Sequence, residues 1–145
     1  MSFNFSAQYR IYYEDTDAGG IVYYANYLKF FERARTDFLR SLQISQSQLL
    51  TEEKLAFVVR RCEIDYIASA KLDDLIDVSV LVKEITAVSI VMQQDISKTI
   101  HGTLLEKQNK KQILSHLKVE IVCVTTDSFG PKKIPQNIKK LFDAR

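Results

Sequence analysis

The chain has no tryptophan, only two cysteines, two prolines and four glycines in 145 residues, and a formal net charge of just +2. So small a charge excludes the broad basic surface that is typical of nucleic-acid-binding domains. No apolar run is long enough for a signal peptide or a membrane-spanning helix. Without a signal peptide, Cys62 and Cys123 are expected to be reduced thiols packed in strands, which predicts a cytoplasmic protein.

Composition and length together indicate one folded unit. Hydrophobic residues make up 46% of the chain and charged residues 26%, which is the balance of an ordinary globular domain. A chain of this length buries about two-thirds of the surface that its unfolded form exposes, so it needs neither disulfides nor a metal to hold a core. We therefore expect a single domain over residues 1–145.

Alternation of apolar and polar residues predicts five strands. Residues 8–13 are aromatic and β-branched and indicate the first strand, followed by a loop at 14–20. The later alternating segments are 62–66, 76–83, 88–96 and 113–123. Polar residues at 106–112 are expected to form the tip of a hairpin, and 127–135 a further loop.

Two helices are predicted in addition, one long and one short. From Tyr27 onward apolar residues recur at helical spacing to Leu42, with Leu28 flanking this stripe and Asn26 as a candidate N-cap. Residues 45–54 are polar and fit a short helix or loop. Pro135 suits the first turn of a terminal helix.

The order of these elements predicts an α+β domain with an antiparallel sheet. No helix separates the later strands, so they are expected to pair in antiparallel fashion, with the long helix packed on one face. The other face carries apolar residues as well as charges, which favours a second subunit that covers it.

Chemistry-bearing residues are concentrated in the segment that runs from Asp15 to Tyr27, DTDAGGIVYYANY. Acidic side chains and two adjacent glycines stand just before a helix, where unpaired amides and partial positive charge can hold an anion or a developing oxyanion. A carboxylate at Asp17 beside such a turn indicates an acyl-transfer or hydrolysis site. The alternative is that Asp15 and Asp17 only favour the loop and the helix start.

Calcium binding is a poor explanation of the same acidic residues. Asp15, Asp17 and Gly20 match the first, third and sixth positions of an EF-hand loop, but Gly19 offers no side-chain ligand and Asn26 replaces the bidentate Glu. No metal site is therefore predicted.

The segment YYEDTDAGGIVYYANYLKFFERARTDFLR resembles the signature of the acyl-CoA thioesterases of the 4-hydroxybenzoyl-CoA thioesterase family. The likeness is nearest to its Tol–Pal-associated, YbgC-type branch, and AFVVRRCEIDY, ASAKLDDLIDV and EIVCVTT resemble the same branch in order. The resemblance implies a hotdog fold, in which an antiparallel five-stranded sheet wraps around one long central helix. It also implies dimers or tetramers with active sites at subunit interfaces.

The resemblance assigns the catalytic carboxylate to Asp17 and places backbone N–H groups near Tyr24 against the thioester carbonyl. It adds Gly20, Val22 and Tyr27 as substrate-binding residues. Members of the branch commonly carry His where this chain has Tyr24. A tyrosine at this position resembles the 4-hydroxybenzoyl-CoA enzymes instead. A backbone N–H role is compatible with that change, and an imidazole-dependent step is not.

Three basic residues, Arg60, Arg61 and Lys71, are candidates for binding the phosphates of coenzyme A. The alternative for Arg61 is a salt-bridged strand face, because it alternates with Glu63 and Asp65.

Other polar residues give weaker signals. His101 and His116 have no cysteine or carboxylate at metal-ligand spacing and are expected to be surface or interface residues. Glu14 and Asp15 are expected mainly to shape the loop. Arg35 lies beside apolar helix residues and is expected to pair with a buried acid or to reach across an interface.

These observations favour a hydrolase that cleaves the thioester of acyl-CoA or of acyl carrier protein, with Asp17 as general base or nucleophile and no cofactor. The rival hypothesis is a non-catalytic acyl-thioester-binding or scaffold protein with the same fold.

Overall fold

The computed structural model describes residues 4–105 and 107–143. Its strands are β1 Asn4–Arg10, β2 Leu55–Tyr66, β3 Leu75–Ile85, β4 Ser89–Ile100 and β5 Lys110–Thr125. Its helices are α1 Asn26–Ser41, the short α2 Gln46–Gln48, which continues into a π-helical turn Leu49–Glu53, and α3 Gln136–Asp143. A single 3₁₀ turn, Tyr13–Asp15, follows β1. None of the described helices is long and apolar enough to cross a membrane.

The five strands form one antiparallel sheet in the order β1-β3-β4-β5-β2, as the absence of intervening helices predicted. β2 therefore lies at one edge of the sheet and β1 at the other. Residues 110–112, expected in the hairpin tip, belong to β5 instead, because Ile100 of β4 still pairs with Lys110. Glu106, also expected in that tip, lies outside the described residues.

Helix α1 packs one face against the sheet. Its buried residues are Tyr27, Phe30, Phe31, Ala34, Phe38 and Leu39. They form one core cluster with the alternating apolar residues of β3, β4 and β5, so the predicted apolar stripe is confirmed. Leu28, expected to flank that stripe, is instead 42% exposed.

Two further expectations about α1 need correction. Ala25 occupies the N-cap position and Asn26 is the first helical residue, so Asn26 does not cap the helix. Arg35 donates to Gln94 Oε1 at 2.9 Å, and Gln94 in turn donates to the carbonyl of Phe31 at 3.1 Å. The partner of Arg35 is thus a buried amide rather than an acid.

The first strand begins and ends earlier than the expected range of 8–13, because it spans Asn4–Arg10 and stops before the acidic loop. Residues 11–13 leave the sheet because the Ile11 amide donates to the carbonyl of Asp74 and the chain then turns. Cys123 is buried, as expected, whereas Cys62 is exposed. The reason is that Cys62 lies on β2, where no further strand of this chain covers the edge.

Candidate active site

The acidic loop is a short hairpin whose shape depends on glycine. Thr16 pairs with Val22 in an isolated antiparallel bridge. Within it the Gly20 amide donates to Asp17 O at 3.1 Å and the Asp17 amide donates to Ile21 O at 2.8 Å. This is a tight turn followed by a residue in the left-handed region, and Gly20 supplies that conformation with φ +81°.

The carboxylate of Asp17 is oriented by the same turn. The Gly19 amide donates to Asp17 Oδ1 at 2.8 Å. A Cβ at position 19 would lie only 3.2 Å from that oxygen, so glycine permits the close approach. Asp17 Oδ2 has no hydrogen-bond donor among the described residues, and the side chain is exposed in the single chain. One carboxylate oxygen is therefore fixed and the other is available.

The start of α1 is attached to this loop through the carbonyl of Asp15. That oxygen accepts the Tyr23 amide at 3.0 Å and the Asn26 side-chain amide at 2.9 Å. The Asp15 carboxylate accepts the Tyr12 amide at 2.8 Å, so its side chain shapes the loop, as predicted.

Two backbone amides at the helix start have no acceptor within the described part of the chain, those of Tyr24 and Ala25. The amides on either side are used, since Tyr23 donates to Asp15 and Asn26 donates to Tyr23 O at 2.8 Å. Unpaired amides at the beginning of a helix, where the dipole is positive, favour a bound or developing anion.

An open pocket of about 340 Å³ brings the loop and the helix start together. Its walls come from the acidic loop, the first turn of α1 and the segment that follows β2. The lining residues are Asp17, Ile21, Val22, Tyr23, Tyr24, Tyr27, Tyr66, Ile67, Ala68 and Ser69. Its wall is mostly apolar and aromatic, with one carboxylate, which is the chemistry expected of a site for an acyl group.

Tyrosine rings build one side of the pocket. Tyr66 makes edge contacts with Tyr24 and Tyr27, with ring centroids 5.9 Å and 5.6 Å apart. The buried hydroxyl of Tyr27 accepts the Ala70 amide at 2.9 Å, which holds α1 against the segment after β2. Burial raises the pKa of both Tyr27 and Tyr66, so both phenols stay protonated at neutral pH.

The arrangement has the components of an acyl-transfer site. Asp17 lines the same apolar pocket as Tyr24, and the Tyr24 amide, which has no acceptor among the described residues, can stabilise negative charge on a carbonyl oxygen. Val22 joins the two walls, because its amide donates to Ala70 O at 2.9 Å.

The three basic candidates are not brought together in the same way. Arg60 donates to both carboxylate oxygens of Glu120, at 3.0 and 2.8 Å, and Arg61 pairs with Glu63 at 3.0 Å. Lys71 lies beside the acidic loop, since it bridges to Ile21, and its exposed side chain makes no ion pair with the described residues. Lys71 is thus the only one of the three that is both near the pocket and uncommitted.

Sequence reasoning did not assign Tyr66 and Ser69 to the site. Tyr66 was interpreted only as an alternating strand residue, yet as the last residue of β2 it reaches the pocket. The sequence signal that could have indicated this site is an aromatic residue at a strand end, Tyr66, directly followed by residues 67–69 (IAS). Only the pairing of β2 with β5 places that strand end beside α1.

The histidines are exposed, as predicted for surface residues. His116 Nδ1 contacts the Asp95 carboxylate across the β4–β5 pair, on the strand face opposite the core. Neither histidine lines the pocket.

Comparisons with known proteins show the family of this chain. The family model described as the thioesterase superfamily matches residues 19–104. An acyl-CoA thioesterase YbgC of Haemophilus influenzae is 44% identical over 138 residues, which cover 95% of this chain and 93% of that protein. The acyl-CoA thioesterase YbgC of Helicobacter pylori is 35% identical and covers 93% of this chain and 97% of its own.

Solved structures share the fold. A probable thioesterase from Bartonella henselae has a TM-score of 0.78 at 33% identity, covering 92% of this chain and all 100% of that one. The 4-hydroxybenzoyl-CoA thioesterase from Pseudomonas sp. strain CBS-3 has a TM-score of 0.82 at 21% identity, covering 95% and 98%. The expected five-stranded hotdog sheet is thereby confirmed, and the chain belongs to the thioesterase superfamily.

Proposed function

We propose that this protein hydrolyses the thioester bond of acyl-CoA to a free carboxylic acid and coenzyme A. One observation carries the proposal: Asp17 and Tyr24 line the same mostly apolar pocket, and the Tyr24 amide has no acceptor among the described residues. Thioester hydrolysis needs an activated oxygen nucleophile and stabilisation of charge on the carbonyl oxygen, and these two groups supply them. The family membership and the names of the relatives support the same chemistry.

In the proposed reaction the acyl group lies against the tyrosine wall, and its carbonyl oxygen accepts the amides of Tyr24 and Ala25. Asp17 removes a proton from water as the oxygen attacks the carbonyl carbon, giving a tetrahedral oxyanion. The oxyanion collapses, the C–S bond breaks, and the departing thiolate accepts the proton that Asp17 removed from water. The helix start stabilises the oxyanion more than the ground-state carbonyl, which lowers the barrier.

A second route remains for the same carboxylate. Asp17 Oδ2 can attack the carbonyl carbon directly, expel the thiolate and form a mixed anhydride that water then hydrolyses. A single turnover in H₂¹⁸O tests the direct route. ¹⁸O in the peptide that contains Asp17, detected by mass spectrometry, shows that an anhydride formed and that water attacked its Asp17 carbonyl. An unlabelled peptide is expected for the general-base route and also for attack of water on the acyl side of the anhydride.

The substrate-binding assignments belong to this proposal. Gly20, Val22 and Tyr27 shape the pocket, and Lys71 is the best placed of the three basic candidates for the phosphates of coenzyme A. Arg60 and Arg61 are proposed as secondary phosphate contacts, because both would first have to leave their carboxylate partners. Acyl carrier protein is proposed as an alternative carrier of the acyl group.

We further propose that residues 1–145 are one domain, with the sheet curved around α1 as its central helix, that assembles as a dimer or tetramer. The free edge of β2 supports assembly, because Val58, Val59 and Tyr66 are exposed on it. Since Tyr66 also lines the pocket, a subunit paired along β2 would lie next to the site. Two free thiols support a cytoplasmic location.

The experiment that tests the function is an acyl-CoA panel with a thiol reagent that reports released coenzyme A. Aromatic acyl groups and aliphatic groups of increasing length should include at least one that is hydrolysed with saturation kinetics. Binding of acyl-CoA without release of thiol would instead identify a non-catalytic scaffold protein. An acyl carrier protein that carries the best acyl group should be compared at the same concentration.

A further inference from the structure

The hairpin between β4 and β5 extends beyond the rest of the sheet. Pairing of β3 with β4 reaches only Ile76 and Lys98, and pairing of β2 with β5 ends at Tyr66 and Ser115. β4 and β5 continue to pair with each other as far as Ile100 and Lys110. The last strand pairs, Thr99 with Lys111 and Ile100 with Lys110, carry a loop that includes residues 101–105 and 107–109. Residues 99–105 and 107–112 are called the arm below.

The apex of the arm is apolar and almost fully exposed. Leu104 is 98% exposed and Leu105 is 96% exposed. Ile100, the last residue of β4, is 47% exposed. Single exposed leucines are ordinary, but two adjacent ones at the apex of the arm indicate a surface that is covered in use.

Three lysines follow this apex in the sequence. Lys107, Lys110 and Lys111 are exposed and make no ion pair with the described residues. Residues 99–112 of the sequence contain these three lysines and one glutamate, an excess of +2 that equals the formal net charge of the whole chain. The arm thus combines an exposed apolar apex with an excess of positive charge.

Exposed tyrosines lie at the same end of the sheet. β1 and β2 end here, and β3 begins here. Tyr12 and Tyr13 follow β1, and Tyr66 closes β2; all three are exposed. Tyrosine is enriched where a membrane meets water, because its ring is apolar and its hydroxyl is polar.

We infer that the arm attaches this protein to the surface of an anionic lipid bilayer. Leu104 and Leu105 enter the region between head groups and acyl chains, and the lysines of the arm contact lipid phosphates. The exposed tyrosines at the same end of the sheet suit the interface between acyl chains and water. Attachment to a bilayer does not depend on the proposed thioesterase function.

A lipid surface fits the arm better than a folded partner does. A stable protein–protein interface buries roughly 800 Å² on each side around a packed centre, whereas the exposed apolar surface at the apex of the arm comes from two adjacent leucines. Insertion into a bilayer needs only depth and positive charge. A second copy of this chain and an acidic protein are therefore alternatives that the experiment must reject.

The absence of tryptophan permits a direct test, because Leu105→Trp introduces the sole tryptophan of the chain. Its emission should shift to shorter wavelength with vesicles of phosphatidylcholine and phosphatidylglycerol, and brominated lipid should quench it. Vesicles of phosphatidylcholine alone should give a much weaker shift. Leu50→Trp is the matched control, since Leu50 is exposed just before β2 at the opposite end of the sheet, and it should not respond.

Sedimentation with the same vesicles tests the individual residues. Leu104→Ser with Leu105→Ser should lower the bound fraction at least about ten-fold, and each lysine changed to glutamine should lower the affinity on the order of five-fold. Hydrolysis of dissolved acyl-CoA by these variants should equal that of the parent. Circular dichroism verifies that they are folded.

Three results would overturn the inference. The first is an unshifted Leu105→Trp emission with anionic vesicles, or equal binding to neutral ones. The second is a smaller oligomer for the double serine variant by light scattering, which would identify a second copy as the occupant. The third is the same emission shift on adding an acidic protein such as acyl carrier protein in place of vesicles.

Discussion

The amide of Gly19 donates a 2.8 Å hydrogen bond to Oδ1 of Asp17, two residues earlier in the chain. The bond fixes one carboxylate oxygen of Asp17 and leaves the other without a hydrogen-bond donor among the described residues. The contact also accounts for the glycine, because a Cβ at position 19 would lie 3.2 Å from the same oxygen.

We predict that Asp17→Asn abolishes most turnover and leaves the fold intact. The asparagine carbonyl can still accept the Gly19 amide, but it cannot accept a proton or attack the thioester. The expected loss in kcat is at least about 10²-fold, the lower end for a general base. The measurement is thiol release from the best acyl-CoA. Glu14→Gln changes a neighbouring exposed acid and should retain parental turnover; an active Asp17→Asn would refute the assignment.

Two substitutions of Tyr24 can separate the role of its backbone amide from the role of its ring. Tyr24 is the second residue of the turn that Asn26 closes onto Tyr23, a place that favours proline. Tyr24→Pro removes the amide and the ring, whereas Tyr24→Ala removes only the ring. If the amide stabilises the oxyanion, the proline variant should lose a further ~10²–10³ in kcat relative to alanine. Equal rates for the two variants would exclude this amide.

Lys71 is predicted to bind the phosphates of coenzyme A. Lys71→Gln should raise KM for acyl-CoA roughly five-fold with kcat unchanged, since an exposed ion pair is worth up to about 1 kcal/mol. The same variant should be indistinguishable from the parent on an acyl-pantetheine that lacks the phosphates. Lys133→Gln changes an exposed lysine in the loop before α3 and serves as the control.

The Tyr27 hydroxyl is predicted to stabilise the fold at the pocket wall. Tyr27→Phe leaves the buried Ala70 amide without its acceptor, which costs about 1–3 kcal/mol in the free energy of unfolding. Urea denaturation followed by circular dichroism measures the change. Tyr12→Phe, at an exposed ring, should leave the midpoint unchanged. A Tyr27→Phe midpoint equal to that of the parent would show that the bond adds nothing.

The raised pKa of Tyr9 leads us to predict that the protein loses stability in alkali. Burial and its hydrogen bond to Asp37 raise the Tyr9 pKa, so folding favours the protonated phenol. This contribution is fully present below pH about 10, the ordinary pKa of tyrosine, and is lost as the pH rises through the raised value. The free energy of unfolding should therefore fall above pH about 10, and less steeply in Tyr9→Phe. Parallel pH profiles of parent and variant would contradict the prediction.

The local features of this protein could be predicted from its sequence. The period of two along β3, β4 and β5 and the helical spacing after Tyr27 depend on near neighbours, which is why the antiparallel α+β order was correct. The acidic loop was found for the same reason, because Asp17, Gly19 and Gly20 act on each other within four residues. Where propensity alone set a boundary, as at 8–13 or Asn26, the prediction was wrong.

Only the tertiary structure decided which distant residues meet. Tyr66 and Ala70 join Tyr27 at the pocket because β2 pairs with β5 at the edge of the sheet, a contact across about forty residues that no local pattern encodes. The same edge position exposes Cys62. Local sequence thus determined where the acidic loop and the long helix lie, and long-range strand pairing decided what surrounds them, because the burial of apolar area is a property of the whole fold rather than of any segment.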